Sequence, residues 1–197
     1  MDLLFATTNS HKLQEIKAII KEHNIISLVD LNDKTEVEES GETFRENAYL
    51  KAKYFYDKYK IPTFADDSGL IVHALGNEPG VRSARYAGEK ATYLENNLKL
   101  LKKLENIEDR SAYFITVICY IDQKGMVHYF EGKVTGEIIA EFRGNEGFGY
   151  DPIFYLPKYG KTYAELGNEK NKISHRYLAL DKFLQYLKGE SNGWKNT

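Results

Sequence analysis

Cysteine is nearly absent from this 197-residue chain. Cys119 stands alone, so no disulfide can close within the chain and a cysteine-rich zinc site is excluded. Neither staple is needed, because a chain of this length buries roughly 70% of its unfolded surface on folding. Long apolar runs are missing too; none reaches the ~18 residues that cross a bilayer. Charge of one sign is also lacking: 27 Lys and Arg stand against 29 Asp and Glu, a net charge of −2. A general nucleic-acid binder needs a large basic excess, so that class is set aside. Prolines number four, at positions 62, 79, 152 and 157, and there is no repeat or low-complexity stretch. The N-terminal Met1–Ala6 carries no basic residue before the chain turns polar at Thr7–Asn9. A signal peptide is therefore not expected there. The expectation is a cytosolic protein with no membrane or nucleic-acid partner.

What is present is ordinary for a folded domain, with 42% hydrophobic and 28% charged residues. Leu3–Ala6 reads as a short buried strand, and Leu13, Ile16, Ile19 and Ile20 then recur at helical spacing. Ile25–Val29 is a second strand, followed by an acidic stretch from Glu36 to Glu42. Thr43-x-x-Glu46 fits a capping box opening a helix with Phe44, Ala48, Ala52 and Phe55 inward, and Pro62 ends it. Thr63–Ala65 and Leu70–Leu75 read as two strands separated by Asp66-Asp67-Ser68-Gly69, and Gly76–Gly88 as loop. Leu94, Leu98, Leu101 and Leu104 mark a helix. Ala112–Ile121 and Met126–Val134 read as a hairpin around Asp122-Gln123-Lys124-Gly125. Gly144–Pro152 is glycine-rich loop; Tyr177, Leu180, Leu184 and Leu187 form a last helix with Gly189 as its stop. The tally predicts a mixed α/β fold, a central mixed sheet flanked by helices. One domain over residues 1–189, with two lobes flanking a groove, and a polar tail over 190–197 are expected.

Five segments hold residues suited to chemistry. Thr7-Thr8-Asn9-Ser10-His11-Lys12 lies between strand and helix, where unpaired helix N–H groups and Lys12 would suit a phosphate; the ordinary alternative is a plain N-cap. It lacks the Gly-Lys-Ser/Thr of a Walker loop. Asp66-Asp67 pairs two carboxylates which, in extended chain, point to opposite faces, so only one can face a ligand directly. Burial would call for a lysine or a divalent cation, whereas a solvated turn is the ordinary alternative. A Glu from the acidic run could join Asp67 in holding Mg²⁺, which favours oxygen ligands. In Gly147-Phe148-Gly149-Tyr150-Asp151-Pro152, Phe148 could stack on a flat ring and Asp151 could accept from a base edge. Finally Lys170, His175 and Arg176 put positive charge around Ser174, a good cap for the last helix.

Taken in order, Thr7–Lys12, Gly41–Ala48, Ala65–Leu70, Pro79–Tyr86, Gly147–Pro152 and Ser174–Arg176 resemble the motifs of the inosine/xanthosine triphosphate pyrophosphatase family. The likeness runs from about Leu3 to Leu187. It departs at Thr8, where many relatives have glycine, so this loop does not use glycine's freedom at that position. The resemblance implies an elongated sheet with two lobes around a cleft, a homodimer, and Mg²⁺-dependent cleavage of non-standard purine triphosphates (ITP, dITP, XTP) between the α- and β-phosphorus atoms. It implies Asp67 as catalytic base, Glu38 or Glu39 with Asp67 as metal ligands, and Thr7–Lys12 (Thr7, Thr8, Asn9, Ser10, His11 and Lys12) as the triphosphate loop. Ser68, Phe148, Gly149, Tyr150, Asp151, Lys170, His175 and Arg176 are the implied nucleotide contacts. On base choice, donors such as Arg176 and His175 facing O6 would leave adenine's amino group without an acceptor. The alternative is a regulator that binds such nucleotides without hydrolysing them.

Overall fold

The structure is a computed structural model that describes residues 1–193, the side chains of the last four excepted. Seven strands and five helices form along the described chain. They are β1 (Asp2–Phe5), α1 (Ser10–Ile19), β2 (Asn24–Ser27), α2 (Phe44–Tyr59), β3 (Thr63–Val72), α3 (Tyr93–Lys103), β4 (Ser111–Ile121) and β5 (Val127–Ile138). Then come β6 (Phe154–Leu156), β7 (Lys161–Thr162), α4 (Tyr163–Leu166) and α5 (His175–Gly193). The strands form one mixed sheet in the order β2-β1-β3-β4-β5-β6-β7. Here β1 pairs parallel with β2 and β3, while β6 pairs antiparallel with β5 and β7. The expected helix-flanked mixed sheet is what forms. The chain divides into two compact units: Met1–Asp67, Thr116–Gly132 and the chain from His175 make the first, Ser68–Ile115 with Lys133–Ser174 the second.

In the first unit the period-two alternation of strands sorts apolar residues onto two faces. Leu3, Phe5, Ile25, Phe64, Ile118 and Tyr120 meet Ile16 of α1 and Ala179, Leu180, Phe183 and Leu187 of α5. Leu4, Ala65, Cys119 and Ile121 face the other way, onto Ala48, Ala52 and Phe55 of α2. Strands covered on both faces read as unbroken apolar runs, as Leu3–Phe5 of β1 and Val117–Ile121 of β4 do. Each such side chain contributes about 1.5–3 kcal/mol by its burial. The aromatic centre is tight, with Phe5 and Phe64 stacked at 4.7 Å between ring centroids.

Helix α2 starts as its sequence predicts. Thr43 Oγ1 accepts from Glu46 N, and Glu46 Oε2 accepts from Thr43 N, each at 3.1 Å. It stops where Lys60 takes a left-handed conformation (φ 56°), two residues before Pro62. Helix α5, by contrast, runs through Gly189 to Gly193, so the expected stop does not form. A single glycine costs a helix only about 1 kcal/mol, and one face of this helix is already held by packing. The remainder of the expected tail, 194–197, lies outside the described residues. Gly132 of β5 brings sheet and helix together, because a Cβ there would lie 2.1 Å from the His175 carbonyl oxygen.

The most consequential difference concerns β3. Asp66-Asp67-Ser68-Gly69 reads as a turn between two strands, yet residues 63–72 form one continuous strand in which Asp66 and Asp67 are buried. Cations from neighbouring helices lie against both carboxylates, which lets the strand carry them inward without turning out to water.

The second unit packs Leu70, Val72, Leu100, Leu104, Phe114, Ile138, Phe154 and Tyr163 into one core. Its helix α3 forms where the leucines mark it and carries a capping box at Thr92 and Glu95. Leu101 and Leu104 pack into the core, but Leu94 and Leu98 are exposed, while Asn96 and Asn97 turn inward. The amides are buried because they tie down backbone. Asn96 accepts from Ala87 N at 2.8 Å and donates to Ala84 O at 3.0 Å; Asn97 donates to Gly149 O at 3.0 Å. Two short 3₁₀ turns, His73–Leu75 and Gly80–Arg85, take residues read as the end of a strand and as loop. The two- and three-residue strands β6 and β7, and α4, are too short to leave a periodic signal.

Candidate active site

Strand β3 sets the site by putting consecutive carboxylates on opposite faces of one ribbon. On the α1/α5 side, both oxygens of Asp66 lie 3.2 Å from Lys12 Nζ. Oδ2 also accepts from Arg176 Nε at 3.2 Å. Arg176 then reaches Glu15 through Nη1. Lys12 and Glu15 are three apart on α1 and so share a face. The quartet carries two positive and two negative charges. Burial lowers the pKa of Lys12, only partly offset by Asp66. For Arg176 burial pulls the same way, but Glu15 and Asp66 overcome it and hold the guanidinium charged.

On the α2 side, Lys51 Nζ donates to Glu39 Oε1 at 2.6 Å and to the Asp66 carbonyl at 2.7 Å, and lies 3.8 Å from Asp67 Oδ1. Asp67 is 5% exposed. Its pKa is pushed up to about 6 by burial, with Glu39 and Asp66 adding to the rise while Lys51 and Lys12 oppose it. For Lys51 burial works downward, yet Asp67, Glu39 and Asp66 raise its pKa on balance. With every group ionised this side has one cation and two carboxylates. The two faces therefore differ: a closed, neutral quartet on one, and a carboxylate pair in excess of its lysine by one charge on the other.

The choice between the two glutamates follows from alternation along the acidic run. Glu38 is exposed, whereas Glu39 is turned in toward Lys51 and Asp67. Among the described residues no three His, Cys, Asp or Glu side chains come close enough to hold a metal by themselves.

The start of α1 is less open to anions than a bare helix end. Asn9 Oδ1 accepts from His11 N at 3.0 Å and from Lys12 N at 3.2 Å, and Thr7 Oγ1 accepts from Asn9 N at 3.1 Å. Asn9 thus forms an ordinary N-cap that occupies the His11 and Lys12 N–H groups. What this loop offers instead is the Lys12 ammonium and the exposed Thr8 and Ser10. Arg176 is 1% exposed, and its Nε and Nη1 donate to Asp66 and Glu15. Neighbouring His175 is buried at the first position of α5.

The remaining sequence-derived residues gather in the second unit. Asp151 Oδ2 accepts from Lys170 Nζ at 2.7 Å and from Phe148 N at 3.1 Å, with both charged side chains 4% exposed. The Lys170 ammonium sits 4.8 Å from the centre of the half-buried Phe148 ring, and Tyr93 tilts against that ring at 6.1 Å. Gly147 is required here: its φ is +75°, and a Cβ would lie 2.1 Å from Asp151 Oδ2. Tyr150 is buried, its hydroxyl donating to Ser83 O at 2.7 Å, so it anchors the loop rather than facing outward. Ser68 is half-buried on β3 next to Asp67.

Sequence reasoning missed Lys51, Glu15 and Asn97. Lys51 had a signal: Asn47, Ala48, Lys51, Ala52 and Phe55 fall on one helical stripe, and a lysine on a buried stripe needs a buried partner.

The first unit holds a buried carboxylate–lysine cluster on a doubly covered sheet and the second a glycine-framed aromatic loop, a class that comparison makes specific. The chain belongs to the Ham1 family, whose pattern matches residues 3–186. It is 48% identical over 192 residues to a dITP/XTP pyrophosphatase of Thermoanaerobacter sp. (strain X514), with 95% of this chain and 96% of the relative covered. It is 49% identical to one from Aquifex aeolicus (strain VF5), with coverage of 95% and 97%. The Ham1 protein of Staphylococcus aureus superposes with a TM-score of 0.87 at 43% identity, covering 96% of this chain and all of that one. A HAM1 protein from Coxiella burnetii gives 0.87 at 41% identity, covering 96% and 99%.

Proposed function

We propose that this chain hydrolyses non-standard purine nucleoside triphosphates of the dITP and XTP type between the α- and β-phosphorus atoms, releasing the nucleoside monophosphate and pyrophosphate. The observation that carries the reading is the Asp67–Lys51–Glu39 cluster, in a chain whose relatives at 45–49% identity bear the name dITP/XTP pyrophosphatase. Asp67 is the base. A carboxylate whose pKa lies near 6 is mostly ionised at neutral pH yet accepts a proton from water more readily than an ordinary aspartate. Lys12 and Lys51 face the polyphosphate and disperse the negative charge that develops as the bond breaks. Phe148 offers its ring to the purine, held by the Asp151 and Gly147 framework.

The donor chemistry fits a divalent cation. Asp67 and Glu39 present oxygen atoms only, exceed their lysine by one negative charge, and would leave most positions to water, as Mg²⁺ prefers. When bound, Mg²⁺ would supply positive charge to the phosphate oxygens. Glu39 is the better candidate over exposed Glu38. The reading extends to a cytosolic homodimer; sedimentation as a 22.7 kDa species alone would remove the dimer.

A panel of ITP, dITP, XTP, ATP and GTP, with phosphorus products separated, tests the reaction. Pyrophosphate from the first three is expected. Orthophosphate as the product, or no turnover of any of them, would refute it.

A further inference from the structure

Helix α3 begins beside the Phe148 loop, and two of its residues reach that loop. Tyr93 and Asn97 stand four apart and so share a face of the helix. The Tyr93 ring tilts at 49° against the Phe148 ring, with 6.1 Å between centroids. One turn on, Asn97 Nδ2 donates to the Gly149 carbonyl oxygen at 3.0 Å. Asn97 is buried, yet among the described residues its Oδ1 accepts no hydrogen bond. A half-satisfied buried amide is costly where a leucine would simply pack, so the bond donated to the loop accounts for the residue. Tyr93 is 43% exposed, at the first position of a helix whose start the Thr92–Glu95 capping box fixes. Partial burial raises the pKa of its phenol and the Asp151 carboxylate adds to the rise, which puts the hydroxyl within that carboxylate's field. Beside the rings, a Cβ on Gly149 would meet no atom within 4 Å, so the loop backbone borders open space. Two aromatic rings framing open space, with the Lys170 ammonium 4.8 Å from the centre of one of them, suit a flat heterocycle.

We propose that Tyr93 binds the purine base together with Phe148, and that Asn97 is a positioning residue which sets the spacing of the two rings by holding Gly149. This deepens the reading above and rests on it for the purine. Stacking engages the face of a base and tolerates any pattern of groups on its edge. Tyr93 therefore adds grip on the nucleotide without choosing among ITP, XTP and ATP, a choice left to donors and acceptors around the edge. The geometry also makes a selective demand. Tyr93, Asn97 and the Phe148 loop all belong to the second unit, whereas Lys12 and Lys51 belong to the first. Loss of Tyr93 should weaken grip on the base and leave grip on the phosphates alone.

The test uses the full chain with two probes, inosine 5′-monophosphate and inorganic pyrophosphate, binding of each measured by calorimetry. Tyr93→Ala is expected to weaken binding of the monophosphate about tenfold, as loss of a base–aromatic contact does. Tyr93→Phe keeps the ring and should restore most of that loss. Asn97→Leu keeps the volume and removes the donor, and should weaken the monophosphate about fivefold. Pyrophosphate binding should change less than about twofold in all three, since contacts in distant groups are close to independent. Thermal unfolding of each variant checks that the protein remains folded at the temperature used, and exposed Tyr93 carries the test if Asn97→Leu does not fold. A Tyr93→Ala chain that binds the monophosphate like wild type would overturn the proposal. So would equal weakening of both probes, a Tyr93→Phe chain as weak as Tyr93→Ala, or a wild-type chain that does not bind the monophosphate. Wild-type affinity in a folded Asn97→Leu chain would overturn the positioning role. A wild-type chain that binds the monophosphate but releases no pyrophosphate from ITP would strike the reaction itself and leave the Tyr93 contact standing.

Discussion

Asp67 should make the protein less stable in proportion to its usefulness. Its pKa is pushed from the ordinary 3.8 up to about 6 by burial. A group whose folded pKa is raised favours the folded state while protonated and loses that advantage as pH rises. Below pH 3.8 both folded and unfolded chains hold the proton, so the penalty is absent; above about pH 6 it is complete. Two units at 1.36 kcal/mol each put the full penalty on the order of 3 kcal/mol. Asp67→Asn mimics the neutral form and should escape it. Urea unfolding of both proteins from pH 4 to 7.5 is the assay. Near pH 4 the two should unfold at nearly the same denaturant concentration. By pH 7 the variant should be more stable by about 2–3 kcal/mol, while its turnover falls by roughly 10²-fold or more. A variant no more stable than wild type at pH 7, or a gap that does not widen with pH, would refute the reasoning about burial.

Two further outcomes are expected. Lys170→Met removes the ammonium that faces buried Asp151 in the second unit and should cost roughly 3–5 kcal/mol of stability by denaturant unfolding; Asp151→Asn in the same background should recover part of it. Chelation of divalent cations should abolish pyrophosphate release and Mg²⁺ should restore it, with a Glu39→Gln chain needing far more Mg²⁺ than a Glu38→Gln chain, read from activity against metal concentration.

Much of the fold was legible along the chain because local rules carried it. The capping box at Thr43, the hairpin around Asp122–Gly125 and the apolar strand Leu3–Ala6 each depend on neighbours within a few residues. The inward turn of Asn96 and Asn97 on α3 was not legible, because they are buried for the sake of backbone groups outside the helix, at Ala84, Ala87 and Gly149. Among site residues, the opposite facing of Asp66 and Asp67 followed from extended geometry alone. The partners that keep them buried did not.

By itself the sequence determined most of the longer elements, the exclusion of disulfide and zinc-finger chemistry, and an ordered set of motifs with the residue types that phosphate and purine require. Tertiary structure alone decided which charges meet. It turned an apparent Asp-Asp turn into mid-strand by bringing Lys12, Lys51 and Arg176 to it from three helices, set Glu39 against Lys51, and brought Arg176 to Asp66 and Glu15. The reason is that a buried charge is tolerable only beside its opposite, and opposites here are brought together by packing, from positions up to 161 residues apart along the chain.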